Sequence, residues 1–561
     1  MTDSEDKYGD WIKKIREAAD VKDKEEVERR ETGEKGKPNV GKEESNKEEK
    51  KNISESVNKK WSKKTFIIGL LIFLLAFLPR LYFIFFVNNP QNAGLGWYND
   101  SYHHWQIAYL TQEIGLSHGF LRLWDLIGME YFWGILNPLL LVLLFSLTGS
   151  ADILVLRIVN TFLGSLSILV IFLLIKKNFN IHAALAAAIL AVFNPVGIFT
   201  DTSGMQEPIA ILMMLTGIYF WPKNPVLTAL FWVLASMARS EYWLFSIGLI
   251  ISLIILGKKT DKKIVLVVSY FGLILLYLKY LLDKTGNAIY PIYWNFMGNA
   301  KGEWQADIPL TDQMLQVRII YIIILVISLL VLLFLFIRKP KLYLFSILGV
   351  GNFFFLSVFI GLTEYLKSYL PRFWVDRIFW LPYIWLGFVI SILLLYYIPK
   401  YLGKFGIILG WALLLIILVL IQLAWMPIMQ YSGESEKILK SEMELGKKVS
   451  SVYKEGSILL PGGDPAFTYA LYKNGIKGKN IRGQKFDPYF YIEEDPYQNW
   501  KKYRKTVFDW LKKENIKLII IDQSSARYAK LVEIEKDKFK KIDGFDYFQV
   551  YEVIDNQDKN L

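Results

Sequence analysis

Asp100 is a residue whose surroundings suggest chemistry, because two of the four histidines, His103 and His104, follow it by three and four residues. On a helix that starts near Asp100, this spacing places the carboxylate and an imidazole on one side. Such a carboxylate can take a proton from a substrate hydroxyl. The structural alternative is that Asp100 caps a helix over 101–111.

A second acidic group lies about one hundred residues later, where Asp201 and Glu207 occupy a short polar segment between two apolar runs. Carboxylates in such a position are costly unless they are solvated, paired or bound to a metal. This segment is therefore a second candidate for binding or catalysis. The alternative is an N-terminal cap for the helix that begins at Pro208.

Two further segments carry isolated charges. Arg239 and Glu241 separate two short apolar runs, whereas Glu364, Arg372 and Arg377 lie in one later polar segment. Charges between closely spaced apolar runs usually face a cavity or each other. The fork of an arginine suits a phosphate group, since it can bind two oxygens. The alternatives are an ion pair that marks a turn and ordinary anchoring at an interface.

The elements that must position these residues are apolar. The chain has 561 residues, of which 53% are hydrophobic, and residues 61–430 form a series of apolar runs. Each run is about twenty residues long, which is enough to cross a bilayer. A soluble multidomain enzyme is therefore excluded, and the pattern predicts a polytopic α-helical membrane protein. The absence of cysteine excludes disulfides, thiolate nucleophiles and cysteine-based metal sites.

Basic residues predict the orientation of the spans. Lysines at 59, 60, 63 and 64 precede the first run, which places the N-terminus in the cytoplasm. If the short run 134–149 lies in the interface or re-enters, the later lysine clusters also fall inside, and every acidic candidate falls outside. About eleven transmembrane helices follow: 65–87, 153–175, 181–200, 208–221, 225–238, 242–257, 264–283, 317–337, 342–362, 377–397 and 404–427. The net charge of +12 is then explained by lysines that border spans and cover the C-terminal region, with no nucleic-acid partner.

The ends of the chain differ from its middle. Residues 1–60 carry 33 charged residues and almost no large apolar ones, which predicts a disordered cytoplasmic tail. Residues 431–561 predict a small α/β extracytoplasmic domain, with strands at 457–461 and 517–522, helices at 464–474 and 500–513, and a final hairpin or strand at 543–553. The middle region, 61–430, is the predicted transmembrane catalytic domain. The lysine and isoleucine bias fits a multi-pass protein of a prokaryotic plasma membrane.

Three motifs resemble those of the GT-C superfamily of membrane glycosyltransferases, which includes protein O-mannosyltransferases and the catalytic subunit of oligosaccharyltransferase. They are Tyr-Asn-Asp-Ser-Tyr-His after the first span, Thr-Ser-Gly-Met-Gln-Glu-Pro, and Met-Ala-Arg-Ser-Glu-Tyr-Trp-Leu. Asp100 and Tyr102 match the Asp-x-Tyr pattern of oligosaccharyltransferases, residues 203–207 loosely resemble their second motif, and Glu364 stands where a Thr-x-x-Glu element is expected. The chain lacks their Trp-Trp-Asp-Tyr-Gly acceptor motif. The resemblance covers about 61–430.

The resemblance implies an inverting glycosyltransferase that moves a sugar from a polyprenyl phosphate, such as dolichyl phosphate, to a hydroxyl of a protein, lipid or glycan acceptor. It implies that Asp100 is the catalytic base and that Arg377 is the preferred partner of the leaving phosphate. The implied substrate-binding residues are Tyr102, His103, His104, Glu207, Arg239, Glu241, Arg372 and Arg377. If a divalent cation, Mg²⁺ or Mn²⁺, takes part, its ligands would be Asp100, Asp201, Glu207 and Glu364.

Other functions remain open at this point. Oligosaccharyltransferase-like transfer of a lipid-linked glycan to protein is one alternative, and a non-enzymatic flippase or transporter of lipid-linked sugars is another. A scaffold would leave the carboxylates without a common site. A shared active site requires Asp100 and Glu207 to lie within about 12 Å of each other, the reach of one bound sugar and its metal.

Overall fold

The structure is a computed structural model in which parts of all the predicted regions except the N-terminal tail are described. The described residues are 63–88, 99–115, 131–256, 260–294, 312–337, 339–366, 372–430, 432–483, 487–489, 492, 495–522, 525–542 and 548–554. The tail predicted over 1–60 lies outside these ranges. Contacts divide the chain into two units, Met1–Ile67 and Ile68–Leu561, and the site considered below lies within the second.

The described chain is mostly helical and ends in a small sheet. The helices are α1 Lys63–Tyr82, α2 Asn99–Ile114, α3 Leu136–Thr148, α4 Ile153–Asn178, α5 Ile181–Val192, α6 Pro195–Thr202, α7 Glu207–Phe220, α8 Pro225–Ala238, α9 Glu241–Leu256, α10 Thr260–Thr285, α11 Asp312–Phe336, α12 Tyr343–Leu366, α13 Arg372–Ile378, α14 Trp380–Ile392, α15 Ile398–Gln430, α16 Ser432–Val452, α17 Pro465–Lys473, α18 Trp500–Lys513 and α19 Ala526–Ile534. The strands are β1 Ser457–Leu459, β2 Ile481–Arg482, β3 Ile516–Ile521, β4 Phe539–Ile542 and β5 Gln549–Val553.

Six of the described helical segments are long and apolar enough to cross a membrane, and a bent pair of helices makes a seventh candidate. The prediction of eleven spans needs three shorter apolar helices, α7, α8 and α9, to cross as well. It also needs the segment Trp380–Ala424 to cross twice. Gly403 in this segment has a φ of 57°, which interrupts the helix at the predicted boundary. The eleven-span count and the orientation of the termini stay predictions.

The bent pair is formed by α5 and α6, which meet at an angle of 60°. Pro195 has no N–H to continue the helical bonding of α5, and the Asn194 side chain caps α6 by accepting a hydrogen bond of 2.9 Å from the Val196 N–H. Small side chains such as Ala184 and Ala187 let α5 pack closely between α4 and α14. After the break, α6 leads to the acidic segment, with Asp201 in its last turn and Glu207 at the start of α7.

The acidic candidates and the lysines lie at opposite ends of the helices. The last turn of α4 carries Lys176 and Lys177, and the Lys177 ammonium donates to the Tyr219 carbonyl at the end of α7. The other end of α7 begins with Glu207. Since α7 has 14 residues, its two ends are about 21 Å apart.

The C-terminal region contains a five-stranded sheet in the order β2-β1-β3-β5-β4. Strands β2, β1 and β3 are parallel, whereas β5 is antiparallel to both β3 and β4. Alternate residues of β1 face opposite layers: Ile458 packs with α16 and α17, and Leu459 packs with α18 and α19. The elements α17, α18, β1, β3 and β5 correspond to predicted ones, while α16, α19, β2 and β4 were not predicted.

The C-terminal region packs on α2, the helix that begins at Asn99. The rings of Trp105 and Tyr469 lie 4.9 Å apart, and the Gln106 side chain donates to the Thr468 hydroxyl over 2.9 Å. The Gly478 N–H donates to the Tyr109 hydroxyl over 2.8 Å. These contacts fix the orientation of α2, and therefore of Asp100 in its first turn.

Asp152 adds a polar link to this packing. Its carboxylate caps α4 through the Leu154 N–H and accepts hydrogen bonds from the Tyr469 hydroxyl (3.1 Å) and the Lys473 ammonium (2.6 Å). Burial, together with the nearby Asp152 charge, raises the pKa of the Tyr469 hydroxyl well above its usual range, so it remains a donor at neutral pH. The C-terminal region is thus joined to both α2 and α4.

Candidate active site

Arg377 connects the two acidic motifs. In α13, its guanidinium contacts a Glu207 oxygen over 2.9 Å and an Asp100 oxygen over 3.2 Å. The two carboxylates are separated by more than one hundred residues in sequence, yet they bind the same side chain. Asp100 and Glu207 therefore satisfy the distance that a shared active site requires.

Arg239 and Glu241 extend this group. The Arg239 guanidinium contacts Glu207 over 2.5 Å and Glu241 through two nitrogens, over 2.5 and 3.1 Å. The two residues do form the mutual ion pair that the sequence allowed, but the pair also holds Glu207. We call these five residues, Asp100, Glu207, Arg239, Glu241 and Arg377, the arginine–carboxylate cluster.

The carboxylates of the cluster differ in their exposure to solvent. The Asp100 side chain is 30% exposed, whereas that of Glu207 is 2% exposed. One oxygen of Glu207 binds both arginines, and its other oxygen, Oε2, is buried with no hydrogen-bond partner among the described residues. Three carboxylates and two guanidiniums give the cluster a formal charge of −1. Asp100 is thus its most accessible carboxylate.

The turn 203–206, which leads into Glu207, is held by side chains of two helices. The Arg157 guanidinium donates to the Thr202 carbonyl over 2.7 Å, and Asn160 donates to the Met205 carbonyl. From α2, the Ser101 hydroxyl donates to the Ser203 carbonyl. Gly204 has a φ of 90°, which a side chain would strain. These bonds fix the start of α7 relative to Asp100.

Asp201 has a different role from the one predicted. Its carboxylate accepts a hydrogen bond of 2.8 Å from Arg80 of α1, and both side chains are almost completely buried. Arg80 also donates over 3.1 Å to the carbonyl of Val192, the last residue of α5, whose helical partner is lost at the break. The Arg80–Asp201 pair therefore supports the bend between α5 and α6 and lies outside the arginine–carboxylate cluster.

The four predicted metal ligands do not converge. Glu364 pairs with Arg318 of α11, Asp201 pairs with Arg80, and Asp100 and Glu207 share Arg377. Within the described ranges, no three His, Cys, Asp or Glu side chains are arranged to hold a metal ion. An arginine neutralises each carboxylate instead, so this donor set does not fit Mg²⁺ or Mn²⁺. The prediction of a common four-carboxylate site is corrected on this ground.

The residues that follow Asp100 have different surroundings: one packs against the C-terminal region, and the two histidines pack against Trp133. Tyr102 is completely buried with its ring 5.5 Å from that of Tyr469, which removes it from the substrate-binding set. The His103 and His104 rings lie 5.3 and 5.4 Å from the ring of Trp133. His104 is buried and His103 is half-buried. His103 is therefore the more accessible imidazole on the Asp100 side of α2.

The remaining predicted residues are less informative. Arg372 begins α13, but its side chain lies outside what the structure describes, as does His118. Next to Arg377, the Asp376 carboxylate accepts a hydrogen bond of 2.6 Å from the Tyr383 hydroxyl, which joins α13 to α14. His182 lies near Trp411, away from the cluster.

Sequence reasoning missed Arg80, Arg157, Arg318 and Trp133. A signal was present for the first two, since both interrupt apolar runs and an ionisable residue inside a span nearly always has a partner or a function. Their partners lie 121 and 45 residues away in sequence, which spacing alone does not reveal. Trp133 is one of 18 tryptophans and carries no distinguishing pattern.

The cluster combines two chemical abilities. A partly exposed carboxylate can accept a proton from a bound hydroxyl, and a guanidinium beside it can stabilise an anion formed in the same step. Glu207 and Glu241 hold the two arginines from the buried side. This combination suits a group transfer in which a hydroxyl attacks and an anionic group leaves.

Comparison with known proteins found no matching protein-family profile and no matching curated protein. Among solved structures, the chain is similar to the Archaeoglobus fulgidus oligosaccharyltransferase tethered with an acceptor peptide containing the NVT sequon (TM-score 0.47, 14% identity, 82% of this chain and 70% of that chain). It is also similar to Archaeoglobus fulgidus AglB in complex with an inhibitory peptide and a dolichol-phosphate (TM-score 0.43, 12% identity, 86% and 73%).

A further similar structure is ArnT from Cupriavidus metallidurans bound to undecaprenyl phosphate (TM-score 0.41, 11% identity, 89% of this chain and 98% of that chain). These structural neighbours are GT-C glycosyltransferases, the superfamily that the sequence motifs resemble. With TM-scores below 0.5, the likeness carries no argument about activity.

Proposed function

We propose that the chain is an inverting glycosyltransferase that moves a sugar from a polyprenyl-phosphate donor to an acceptor hydroxyl at the extracytoplasmic face of a membrane. The observation that carries this proposal is the contact of Asp100 and Glu207 with the single guanidinium of Arg377. This contact supports the proposal because it brings a carboxylate that could accept a proton next to a guanidinium that could bind an anion.

In the proposed reaction, the acceptor hydroxyl attacks C1 of the sugar from the face opposite the phosphate. A bond forms between the acceptor oxygen and C1, the bond between C1 and the phosphate oxygen breaks, and the hydroxyl proton passes to Asp100. Because a free hydroxyl is a weak nucleophile, removal of its proton during the attack lowers the barrier. The anomeric centre is inverted by this single displacement.

The leaving group is a lipid phosphate whose negative charge grows as the bond to C1 breaks. Arg377 is the guanidinium placed to meet that charge, with Arg239 behind it. Glu207 and Glu241 are positioning residues in this scheme, because they hold the two arginines and need not touch the sugar. Pre-oriented charges of this kind stabilise a transition state without reorganisation at the moment of reaction.

No step of this scheme uses a divalent cation. The carboxylates expected to bind one are each engaged by an arginine, so the charge of the leaving phosphate is assigned to Arg377. A phosphate and a guanidinium form paired hydrogen bonds, which also orient the donor. The donor lipid would lie along the apolar helices.

The test is a transfer assay with the full chain in liposomes. The donors are polyprenyl monophosphates that carry labelled hexoses, and the acceptors are a panel of peptides, lipids and glycans with free hydroxyls. We expect a product whose anomeric configuration is opposite to that of the donor. A product of retained configuration, or no transfer from any monophosphate donor, would contradict the proposal.

The same assay separates the two alternatives. Transfer from a diphosphate-linked glycan to an asparagine-containing peptide would assign the oligosaccharyltransferase-like function. Movement of the labelled donor between leaflets without any transfer would assign a flippase. Both measurements use the same liposomes, so a negative result in one assay is not caused by a different preparation.

A further inference from the structure

We propose that the Asp100 carboxylate occupies the position on Arg377 that the donor phosphate takes, so that donor binding displaces Asp100 and releases it to act as the base. This inference rests on the proposed function and adds an order of events to it. Before the donor binds, the base is held by the group that will later bind the leaving phosphate.

The two carboxylates on Arg377 are held unequally. Glu207 lies 2.9 Å from the guanidinium and is also bound by Arg239, whereas Asp100 lies 3.2 Å away. In the described part of the chain, the ion pair with Arg377 is the only one recorded for Asp100. An incoming anion would therefore replace Asp100 more easily than Glu207.

The exposure of the two side chains also indicates that Asp100 is displaced more easily than Glu207. The side chain of Asp100 is 30% exposed, and that of Glu207 is 2% exposed. Water or a ligand can therefore reach the contact between Asp100 and Arg377 without opening the packed core. A carboxylate that leaves this contact can be solvated at once, whereas a Glu207 that left Arg377 would remain buried and out of reach of water.

The charge of the cluster requires such a displacement. Its formal charge is −1 with all five residues engaged, and a phosphate monoester would add a further negative charge beside Arg377. Like charges a few ångströms apart repel strongly where water is scarce. When Asp100 moves away, one negative charge leaves the Arg377 guanidinium. Two oxygens of a phosphate can then take its place.

The displacement needs only a side-chain rotation. The backbone of α2 is held directly after Asp100, because the Ser101 hydroxyl donates to the Ser203 carbonyl and Tyr102 is buried against Tyr469. Asp100 itself lies in the first turn, where a change between staggered rotamers moves the carboxylate without moving the helix. The freed carboxylate stays within reach of an acceptor beside C1.

The functional consequence is ordered activation. Asp100 is free to contact the acceptor hydroxyl only after the phosphate has taken its place on Arg377. The acceptor is therefore deprotonated only when a leaving group is bound.

The experiment measures binding of tritiated undecaprenyl phosphate, without sugar, to the full chain in nanodiscs. Asp100→Asn and Asp100→Ala remove the competing charge, and Asp283→Asn is the control because Asp283 forms an exposed ion pair with Lys279. We expect both Asp100 variants to bind the lipid about three- to tenfold more tightly than the unmodified chain, a gain of about 1 kcal/mol. Asp283→Asn should bind with unchanged affinity.

The outcomes are distinct. Equal or weaker lipid binding by both Asp100 variants would overturn the inference, since Asp100 would then not compete with phosphate. A gain confined to inorganic phosphate in a parallel titration would overturn the assignment of the site to the lipid donor. If the unmodified chain transfers sugar but the Asp100 variants gain no affinity, the ordered activation alone fails. If the unmodified chain neither binds the lipid nor transfers sugar, the proposed function fails first.

Discussion

The hydroxyl of Ser101 donates a hydrogen bond to the carbonyl oxygen of Ser203, 102 residues further along the chain. This bond joins the helix that carries Asp100 to the turn that leads into Glu207. The two acidic motifs are therefore connected in two ways. One is this hydrogen bond from the Ser101 side chain to the backbone, and the other is Arg377. Their relative position depends on buried bonds rather than on the flexibility of two separate loops.

Loss of the Ser101 contact should affect catalysis more than donor binding. In Ser101→Ala, the first turn of α2 is less firmly placed against the turn 203–206, and a small misplacement of a reacting group is costly. We expect kcat to fall about tenfold and KM for the donor to change less than about twofold. Ser146→Ala is the control, because the Ser146 hydroxyl is exposed and, among the described residues, bonds only to the Val142 carbonyl of its own helix. Equal kcat values for the Ser101→Ala variant and the unmodified chain would contradict this positioning role.

The Arg80–Asp201 pair should control stability. Arg80→Met leaves the Asp201 carboxylate buried without its partner, which typically costs about 3–5 kcal/mol. We expect a markedly lower unfolding temperature for Arg80→Met in detergent micelles and a smaller loss for the double variant Arg80→Met/Asp201→Leu, because the second change removes the unpaired charge. Lys279→Met breaks an exposed pair and should have little effect. The reasoning would be refuted by equal unfolding temperatures for Arg80→Met and the unmodified chain.

The helix boundaries show how much could be predicted from sequence. The break at Pro195 lies inside the predicted span 181–200 and was not predicted. By contrast, the interruption at Gly403 lies between two predicted spans, and the runs of apolar residues correspond closely to α4, α8 and α9. The grouping of the acidic motifs at one end followed from the lysine pattern. These features depend on local sequence, which explains why they were accessible.

The pairing of charges was not accessible in the same way. Asp201 and Glu207 are only six residues apart and looked equivalent in sequence, but one faces Arg80 and the other faces Arg377. Which direction each side chain takes depends on how α6 and α7 pack against neighbouring helices. Likewise, Tyr102 is buried by Tyr469 of α17 in the C-terminal region. Nothing in the sequence of α2 specifies that contact.

Glu364 provides a test of the metal hypothesis. It pairs with Arg318 and is not part of the arginine–carboxylate cluster, so Glu364→Gln should keep the transfer rate within about twofold of the original. Treatment with EDTA followed by desalting should leave the rate equally unchanged. A large loss of activity in either experiment that Mn²⁺ or Mg²⁺ restores would show that a metal takes part and that the cluster rearranges to bind it.

The stability of the C-terminal region around α16 should depend on pH through Glu442. Burial and the nearby Asp464 carboxylate raise the pKa of Glu442 in α16 from 4.5 to about 9. Since the folded form holds this proton more strongly than the unfolded form, the stabilising contribution is complete below pH 4.5 and declines as the pH rises toward 9. Glu442→Gln cannot ionise and should reduce this decline.

The measurement is hydrogen–deuterium exchange of peptides from α16 and β1 in the full chain, corrected for the intrinsic effect of pH. Between pH 5 and pH 8, we expect the opening free energy to fall by about 4 kcal/mol in the unmodified chain and by much less in Glu442→Gln. Identical pH dependence in the two proteins would show that Glu442 ionises without cost.

The central claim is that Asp100 takes the proton of the acceptor hydroxyl. The most direct test is the single-turnover rate of sugar transfer by Asp100→Asn in liposomes, with the donor and acceptor saturating and with Asp283→Asn as the control. The account predicts a loss of about 10³-fold or more for Asp100→Asn, because the amide cannot accept the proton, and an unchanged rate for the control. Transfer by Asp100→Asn at the rate of the unmodified chain would contradict the account.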